Sequence, residues 1–290
     1  MRRLLLAALA AASLATPALV APARAACPDD ADVARLAAAL TSGHPAEPYA
    51  GPLSMADAEC ARGKLIPLLE AHFGRVAGYK AGLTNEAGQR RYGLNAPVWG
   101  AIFASTLANR SGATLELTPQ LRGIGVEADL LVRVRDEGIN GAGTDHVAIL
   151  RHLDQVIPFI ELPRSGLART PDGPGLVAAN VSARLGVVGE PIPVEATAEF
   201  ARRIGEVRVA MTDNDREVVN ATGAALLGHP LNAVSWLVQD LAKTGRRLRA
   251  GDIVSLGGFA GSVPAQAGHR YVLRYEGLAA QPVSVTVSFR

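Results

Sequence analysis

The residues from Val126 to Val134 alternate in polarity, and this pattern limits the possible fold more than any other stretch of the sequence. The apolar positions of the stretch are Val126, Ala128, Leu130, Val132 and Val134. The positions between them include two acids, Glu127 and Asp129. A period of two is that of a β-strand with one face in a core. The sequence therefore predicts a strand whose second face carries two carboxylates.

Other segments predict a fold that mixes helices with strands. We expect further strands at residues 156–162, 253–256, 271–275 and 283–289. Predicted helices cover residues 32–40, 54–72, 84–93 and 230–245, with a kink at Pro67 in the second of them. Ser54 and Asp57 have the spacing of a capping box, and Pro230 suits a first helical position. Regular β-α-β alternation is lacking, so the sequence favours an α+β fold over a doubly wound sheet.

The first 25 residues have the pattern of a cleaved secretory signal peptide. Arg2 and Arg3 precede an apolar run at 4–15, and the segment Ala23–Ala25 is a small-x-small cleavage site. An uncleaved anchor is the alternative. We expect a signal peptide at 1–25, an N-terminal helical part at 26–112 and a β-rich catalytic domain at 113–290. The expected location is secreted or periplasmic.

Charge and composition exclude several classes of partner. Without the three arginines of the signal segment, 26 basic residues face 27 acidic ones, so no basic surface for nucleic acid is predicted. Aromatic residues make up only 4% of the chain. Because no later apolar run is long enough to span a bilayer, no stable membrane insertion is expected after cleavage. Cys27 and Cys60 either pair in an oxidising compartment or remain two free thiols.

Three acids and one lysine are the candidates for chemistry. Glu127 and Asp129 would lie about 7 Å apart on one strand face, where their charges repel. A divalent cation such as Mg²⁺ or Mn²⁺ would relieve this repulsion, whereas a solvated face or an arginine partner is the simpler explanation. Glu161 ends a second apolar strand. Lys80, between Gly78 and Gly82, would either face an anionic substrate group or lie in a surface turn.

Six motifs, the last of them a pair of turns, together resemble one enzyme family. Residues 78–84 resemble the G-[YW]-K-x-G-L-T segment of 2-keto-4-pentenoate hydratases, which belong with 4-oxalocrotonate decarboxylases to the fumarylacetoacetate hydrolase superfamily. Residues 126–129 resemble the V-E-x-E strand of that family. The other similar segments, in the same order, are 157–162, 180–182, 228–237, and the turns at 250–252 and 257–268.

The resemblance implies a fold and a metal site. The fold would be the mixed β-sheet roll of the fumarylacetoacetate hydrolase superfamily with an N-terminal helical cap, and the protein would form a homo-oligomer. Glu127, Asp129 and Glu161 would hold Mg²⁺ or Mn²⁺. The activity would be that of a hydro-lyase acting on a small 2-oxo acid or 2-hydroxydienoic acid such as 2-keto-4-pentenoate.

The resemblance also assigns roles to polar side chains. Lys80 and Glu127 would be catalytic, and Lys80, Asn180 and Ser182 would bind the substrate. Asp129 departs from the glutamate of the family pattern, and residues 162–165 and 256–260 replace polar family residues. Two alternatives therefore stay open. One is an acylpyruvate-type C–C hydrolase, for which His72 is the nearby candidate base. The other is an exported, non-catalytic 2-oxo acid binding protein.

Overall fold

A computed structural model describes residues 27–290, and the predicted signal peptide lies outside this range. The seven α-helices of this range are α1 Asp30–Ser42, α2 Met55–Phe73, α3 Glu86–Arg91, α4 His146–Arg151, α5 Gly173–Ala178, α6 Ala198–Glu206 and α7 Pro230–Lys243. The strands are β1 Val76–Gly82, β2 Val98–Phe103, β3 Asn109–Arg110, β4 Ala113–Leu115, β5 Gly125–Val134, β6 Leu153–Leu162, β7 Leu185–Val188, β8 Ile192–Pro193, β9 Arg208–Asp213, β10 Arg216–Thr222, β11 Ile253–Ser255, β12 Val263–Pro264, β13 Arg270–Glu276 and β14 Val283–Phe289. None of the helices in this range has the length and apolar character needed to cross a bilayer.

Two β-sheets form the body of the molecule. The larger has the order β2-β1-β11-β5-β6-β7-β3, with β12 added beside β5 and β8 beside β6. The smaller has the order β10-β9-β13-β14-β4. Both sheets are mixed, because β1 runs parallel to β11 and β4 parallel to β14, whereas β5 and β6 are antiparallel. The predicted α+β class with a mixed β-sheet roll is confirmed.

The strand predicted from alternation is the centre of the larger sheet. Val126, Ala128, Leu130, Val132 and Val134 are all at most 1% exposed and belong to the main core. The opposite face of β5 carries Glu127 and Asp129, as the period of two requires. Burying the apolar row fixes the register, because a slip of one residue would turn the acids into the core.

The predicted helices are present, with small differences at their ends. Ser54 and Asp57 form the predicted capping box at the start of α2, which continues through Pro67 to Phe73 without a break. The third helix begins at Glu86 rather than at the predicted residue 84, and its N-cap is Asn85. Asn85 accepts the Gly88 N–H at 2.8 Å, which satisfies one free donor of the first turn.

The N-terminal part contributes strands as well as helices. The sequence predicts no strand at the family-like segment 78–84, whereas β1 pairs with β11 from residue 253 onward and β2 covers its other edge. The boundary expected at residue 112 therefore does not separate a purely helical part from the sheet. A parallel pairing between segments about 170 residues apart leaves no local periodicity to detect.

Cys27 and Cys60 form a disulfide bond that ties the start of the described chain to α2. The Cα atoms of the two cysteines lie 5.6 Å apart, and no free cysteine remains in residues 27–290. Helices α1 and α2 pack against each other beside the larger sheet, so the bond restrains the helical layer. The question that the sequence left open is answered in favour of pairing.

Candidate active site

A cavity of about 790 Å³ opens at one end of the larger sheet. The end of β1 and the start of β5 form its base. The loop after β6, the turn at residues 181–182 and the glycine-rich segment at 258–264 form its walls. Lys80 and Glu127 therefore lie on strands whose positions are fixed by sheet pairing.

Lys80 and Glu127 line the base of this cavity, and the buried Asp129 and Glu161 lie beside them; these four side chains are here called the carboxylate floor. Glu127 lies directly across from Glu161 in the β5–β6 register. Lys80 Nζ donates to Glu161 Oε1 at 2.5 Å. Glu127 lines the cavity and is half-buried, whereas Lys80, Asp129 and Glu161 are at most 5% exposed. Sheet pairing thus brings the three predicted acids close to the predicted lysine, although up to 81 residues separate them in the sequence.

The carboxylate floor carries more negative charge than its lysine can balance. Burial and the neighbouring Glu161 raise the pKa of Glu127 to about 8 and that of Asp129 to about 7. Lys80 lowers both pKa values, but this effect is smaller than that of burial. Two carboxyl groups that lose their protons near neutral pH rather than near pH 4 indicate a site that lacks a positive charge.

Lys80 is a protonated ammonium in this environment. Burial alone would lower its pKa, but the charges of Glu161 and Glu127 outweigh burial, so the pKa of Lys80 is raised above its ordinary value. The side chain therefore acts as a hydrogen-bond donor and positive charge, and it is not a free base. Because Lys80 is 5% exposed and lies in β1, the simpler alternative of a lysine in a surface turn is wrong.

Asp129 is held by donors from the neighbouring strand and turn. Ser255 Oγ donates to one carboxylate oxygen at 2.6 Å, and the Gly257 N–H donates to the other at 3.2 Å. Gly257 has a φ of 105°, which a residue with a side chain rarely adopts, and a Cβ here would also overlap Thr84. The glycine is required for the amide to reach Asp129.

The donor set suits a hard divalent cation in charge and in chemistry. All three acids offer oxygen ligands, and Glu161 Oε2 is buried without a hydrogen-bond partner among the residues that the structure describes. Nevertheless, within residues 27–290 no three His, Cys, Asp or Glu side chains are already gathered around one point. Instead, the Glu161 carboxylate accepts a hydrogen bond from Lys80, and the Asp129 carboxylate accepts one from Ser255. The ligand role of the three acids stays a prediction that their uncompensated charge supports.

Asn180 does not reach the cavity, although substrate binding was predicted for it. Its side chain is fully buried, accepts the Ala101 N–H at 2.7 Å and donates to the Ala101 carbonyl at 2.9 Å. Both ends of the amide are therefore used to fix β2. Ser182, by contrast, lines the cavity as predicted. Asn180 thus positions the turn that carries Ser182.

The turn from Asn180 to Ser182 is strained. All three residues have φ between 52° and 57°, a region in which a β-branched residue such as Val181 is a genuine outlier. The turn also lies against Gly100, where a Cβ would come within 2.4 Å of the Asn180 carbonyl oxygen. Strain of this kind persists only where the surroundings determine the backbone, which fits the two bonds between Asn180 and Ala101.

Two polar residues of the site were not anticipated from the sequence. The Tyr275 hydroxyl donates a hydrogen bond to the Asp129 carbonyl and accepts one from the Phe159 N–H at 3.2 Å. The hydroxyl therefore lies between β5 and β6, beside the carboxylate floor. Thr84 lines the cavity and is 1% exposed, and its hydroxyl has no hydrogen-bond partner in the described part of the chain, 27–290. Tyr275 lies in an ordinary alternating strand, so the local sequence gives no signal for its contact.

His72, the candidate base for a hydrolase, is exposed on α2 and does not line the cavity. Its ring packs edge-on against Phe73 at 4.7 Å between ring centroids. Among the residues that line the cavity there is no histidine. The structure therefore gives the hydrolase alternative no His-based water activation.

Comparison with known proteins identifies the family. No protein-family model matches the chain. TodF product hydratase from Pseudomonas putida is 33% identical over 219 residues, covering 74% of this chain and 76% of the relative. A 2-keto-4-pentenoate hydratase from Burkholderia vietnamiensis is 32% identical over 73% of this chain and 79% of the relative. The chain belongs to the 2-keto-4-pentenoate hydratase and 4-oxalocrotonate decarboxylase family.

Solved structures agree with this family. A 4-oxalocrotonate decarboxylase from Pseudomonas putida G7, complexed with magnesium and adipate, has a TM-score of 0.79 at 26% identity. It is matched over 90% of this chain and 97% of that chain. Fumarylpyruvate hydrolase from Pseudomonas aeruginosa, in complex with Mn²⁺ and pyruvate, shares the fold with a TM-score of 0.53 at 17% identity, over 73% and 89% of the two chains. The family resemblance and the superfamily fold predicted from the sequence are confirmed.

Proposed function

We propose that the protein is a divalent-metal-dependent lyase of the hydratase type that acts on a 2-oxo acid or its 2-hydroxydienoic form, such as 2-keto-4-pentenoate. The observation that carries this proposal is the carboxylate floor, whose excess negative charge lies under a cavity of substrate size. Membership of a family whose named members are hydratases and decarboxylases supports it.

The proposed metal is Mg²⁺ or Mn²⁺, held by Glu127, Asp129 and Glu161. The related decarboxylase was solved with magnesium, and the fumarylpyruvate hydrolase with Mn²⁺. When bound, such an ion polarises the 2-oxo group of the substrate and stabilises negative charge that develops on its oxygen. The unpartnered Glu161 Oε2 and the raised carboxyl pKa values support a cation at this position.

The side chains of the chain itself would position the substrate and move protons. Lys80 offers an ammonium at the cavity base, where it orients an anionic substrate group and stabilises its charge. Glu127 reaches the cavity, where its carboxylate is placed to accept a proton from the substrate. The Ser182 hydroxyl is free to donate to a substrate oxygen. The buried cavity base limits access of bulk water to these groups.

Metal depletion and product analysis test the proposal. The protein is stripped with a chelator, Mg²⁺ or Mn²⁺ is restored, and loss of the ultraviolet absorbance of 2-hydroxypenta-2,4-dienoate is followed. Metal-dependent formation of a 4-hydroxy-2-oxo acid is expected. Release of pyruvate and a second acid from an acylpyruvate would support the hydrolase instead. Binding of 2-oxo acids without metal-dependent turnover of any would contradict the lyase and support a non-catalytic binding protein.

We further propose that the chain is exported and that residues 1–25 are removed. The Cys27–Cys60 disulfide supports an oxidising compartment. Mass spectrometry of the N-terminus after expression in a bacterium with an intact export system is expected to show a chain that begins near Ala26. A full-length chain in the cytoplasmic fraction would contradict export. The expected homo-oligomer stays a prediction that light scattering can check.

A further inference from the structure

A segment at the start of the described chain holds part of the cavity wall. This segment, residues 27–53, contains α1 and is here called the N-terminal arm. The part of the wall that it holds, residues 166–169, is here called the outer wall, and three of its four residues line the cavity. The Ala46 N–H donates to the Gly166 carbonyl at 2.9 Å, and the Ala46 carbonyl accepts the Ala168 N–H at 2.8 Å. These two bonds form an isolated β-bridge outside the two sheets.

The outer wall has little support other than the N-terminal arm. Within residues 27–290 it makes no backbone hydrogen bond to either sheet. Two further contacts also come from the arm. Arg169 pairs with Glu47 at 3.1 Å, and Leu40 of α1 occupies the space that a Cβ at Gly166 would need. The order of the outer wall therefore depends on the position of the arm.

The N-terminal arm is attached to α2 by three kinds of contact. The apolar face of α1 packs on α2. Lys64 Nζ donates to the Pro28 carbonyl at 2.9 Å and pairs with Asp30 at 2.8 Å, where both side chains are largely exposed. The third contact is the disulfide bond between Cys27 and Cys60. Because a helix of 13 residues is only marginally stable by itself and an exposed ion pair is weak, the covalent bond is the strongest of the three.

Both ends of the N-terminal arm are fixed only while the disulfide bond is closed. The far end of the arm leads into α2 at Ser54, and the near end is joined to α2 through Cys60. The two cysteines are 33 positions apart, and opening a covalent loop of that length favours a released arm by a factor on the order of 10². Cys60 is exposed and Cys27 is half-buried, so a thiol in solution can reach the bond.

We propose that the Cys27–Cys60 bond is a redox-sensitive site that controls the order of the outer wall and, through it, substrate binding. A dithiol opens the bond in two steps. One thiolate attacks the sulfur of Cys60, which forms a mixed disulfide and releases Cys27 as a thiolate that takes up a proton. The second thiol of the reductant then displaces Cys60, so the reductant leaves as a disulfide and the protein has gained two electrons and two protons.

The reverse reaction fixes the N-terminal arm. A protein disulfide of an oxidising compartment accepts the two electrons, and the two thiols of the chain lose their protons as the bond forms. Under the export proposed above, the outer wall becomes ordered only after the chain has left the reducing cytoplasm.

Hydrogen exchange in the presence of a chelator measures the order of the outer wall directly. The compared proteins are the oxidised chain, the chain reduced with dithiothreitol, and Cys27→Ser/Cys60→Ser. The Ala46 and Ala168 amides should exchange at least about tenfold faster in the reduced chain and in the double variant. The Leu256 amide, which donates to a β5 carbonyl at 2.9 Å inside the larger sheet, should exchange at the same rate in all three proteins.

Two controls isolate the effect of the bond. Dithiothreitol should not change exchange in the double variant. Lys64→Met removes the non-covalent link at the same end of the arm, and in the oxidised chain it should change exchange of the outer wall by less than about twofold. Where the double variant is not folded by circular dichroism, the reduced unmodified chain decides.

Three results overturn the proposal. The first is unchanged exchange at Ala46 and Ala168 after reduction. The second is an equal increase at Leu256, because the bond would then hold the whole fold and not the outer wall. The third is an effect of Lys64→Met in the oxidised chain that equals the effect of reduction.

Kinetics of the double variant test the link to substrate binding. Its KM for 2-hydroxypenta-2,4-dienoate should be at least about threefold higher than that of the oxidised chain, because fewer molecules have an ordered wall. Its Kd for Mn²⁺ should stay within about twofold, since Glu127 lies on a strand of the larger sheet. An unchanged KM together with faster exchange would overturn this link.

The outcomes separate this inference from the proposed function. Faster exchange of the outer wall on reduction, without metal-dependent turnover of any 2-oxo acid, would contradict the lyase and leave the redox-sensitive site standing. Metal-dependent turnover with unchanged exchange would support the lyase and overturn the redox-sensitive site.

Discussion

The two ends of the β5–β6 pair place charged residues on the same two strands with opposite results. At one end Arg133 binds Asp154 through two hydrogen bonds of 2.9 and 2.6 Å, and both side chains are part-exposed. At the other end Glu127 faces Glu161 across the strands. Like charges directly opposite each other destabilise a sheet, whereas the Arg133–Asp154 pair is neutral.

The difference shows where the sheet serves stability and where it serves chemistry. The Arg133–Asp154 end follows the ordinary rule for cross-strand pairs and does not touch the cavity. The carboxylate floor breaks that rule at the cavity base, with one lysine for three acids. Local rules are broken mainly at functional sites, where another interaction offsets the cost. Here the proposed divalent cation would supply that interaction.

Removing one carboxylate from the floor should have the largest effect. Glu127→Gln keeps the shape of the side chain and removes a proposed metal ligand and proton acceptor. We expect turnover of the dienoate to fall by at least about 10³-fold. The thermal midpoint in chelator should be unchanged or higher, because a repulsive charge is lost. Asp154→Asn is the control at the other end and should retain turnover; a similar loss in both variants would remove the contrast between the ends.

Removing the lysine tests the balance of charge within the floor. Lys80→Met leaves Glu161 buried without its partner, so the free energy of unfolding in chelator should fall by about 3 kcal/mol. The double variant Lys80→Met/Glu161→Gln should recover most of this loss, because both charges are then absent. Urea denaturation measures all three proteins. If the single and double variants are equally unstable, the ion pair is not the cause.

A histidine far from the floor should set a separate, metal-independent pH response. Burial lowers the pKa of His229, whose Nδ1 accepts the Leu231 N–H at the start of α7 and whose ring stacks on His146 at 3.8 Å between centroids. Because the folded state resists protonation, stability is full above about pH 6.5 and is lost as the pH falls below it.

His229→Asn keeps a side-chain acceptor for the helix start and does not titrate. Between about pH 7.5 and pH 5.5 the thermal midpoint of the unmodified protein should fall by about 3 °C more than that of the variant. The difference should be the same with Mg²⁺ and with chelator. A difference that disappears when the metal is added would assign the pH response to the carboxylate floor instead.

The smallest effect on stability is expected at the Arg133–Asp154 end of the β5–β6 pair. Asp154→Asn breaks a part-exposed salt bridge, which is worth less than about 1 kcal/mol. Urea denaturation should therefore show a change well below that of Lys80→Met. An equal or larger loss of unfolding free energy would mean that the greater exposure of the Arg133–Asp154 pair does not make it less important for stability than the Lys80–Glu161 pair.

The sequence predicts the parts of this comparison that depend on local pattern. Alternation in β5 places Glu127 and Asp129 on one face, and the family resemblance implies that Glu161 joins them. Pairing across the sheet then fixes their neighbours, such as Ser255 beside Asp129. The capping box of α2 follows from two residues three positions apart.

Contacts between distant backbones leave no such pattern. The amide of Asn180 resembles a ligand in the sequence, yet it bonds the backbone of Ala101, 79 residues away. Tyr275 reaches between β5 and β6 from the other sheet, across a separation of 146 residues from Asp129. These contacts depend on three-dimensional packing and not on a local period.

Direct titration with Mn²⁺ tests the carboxylate floor most clearly. Paramagnetic resonance of free Mn²⁺ is recorded while metal is added to the chelator-treated protein and to Glu127→Gln, Glu161→Gln and Asp154→Asn. We predict one saturable site per chain, at least about tenfold weaker in Glu127→Gln and Glu161→Gln and unchanged in Asp154→Asn. No saturable site, or a site that Glu127→Gln and Glu161→Gln leave intact, would contradict the central claim.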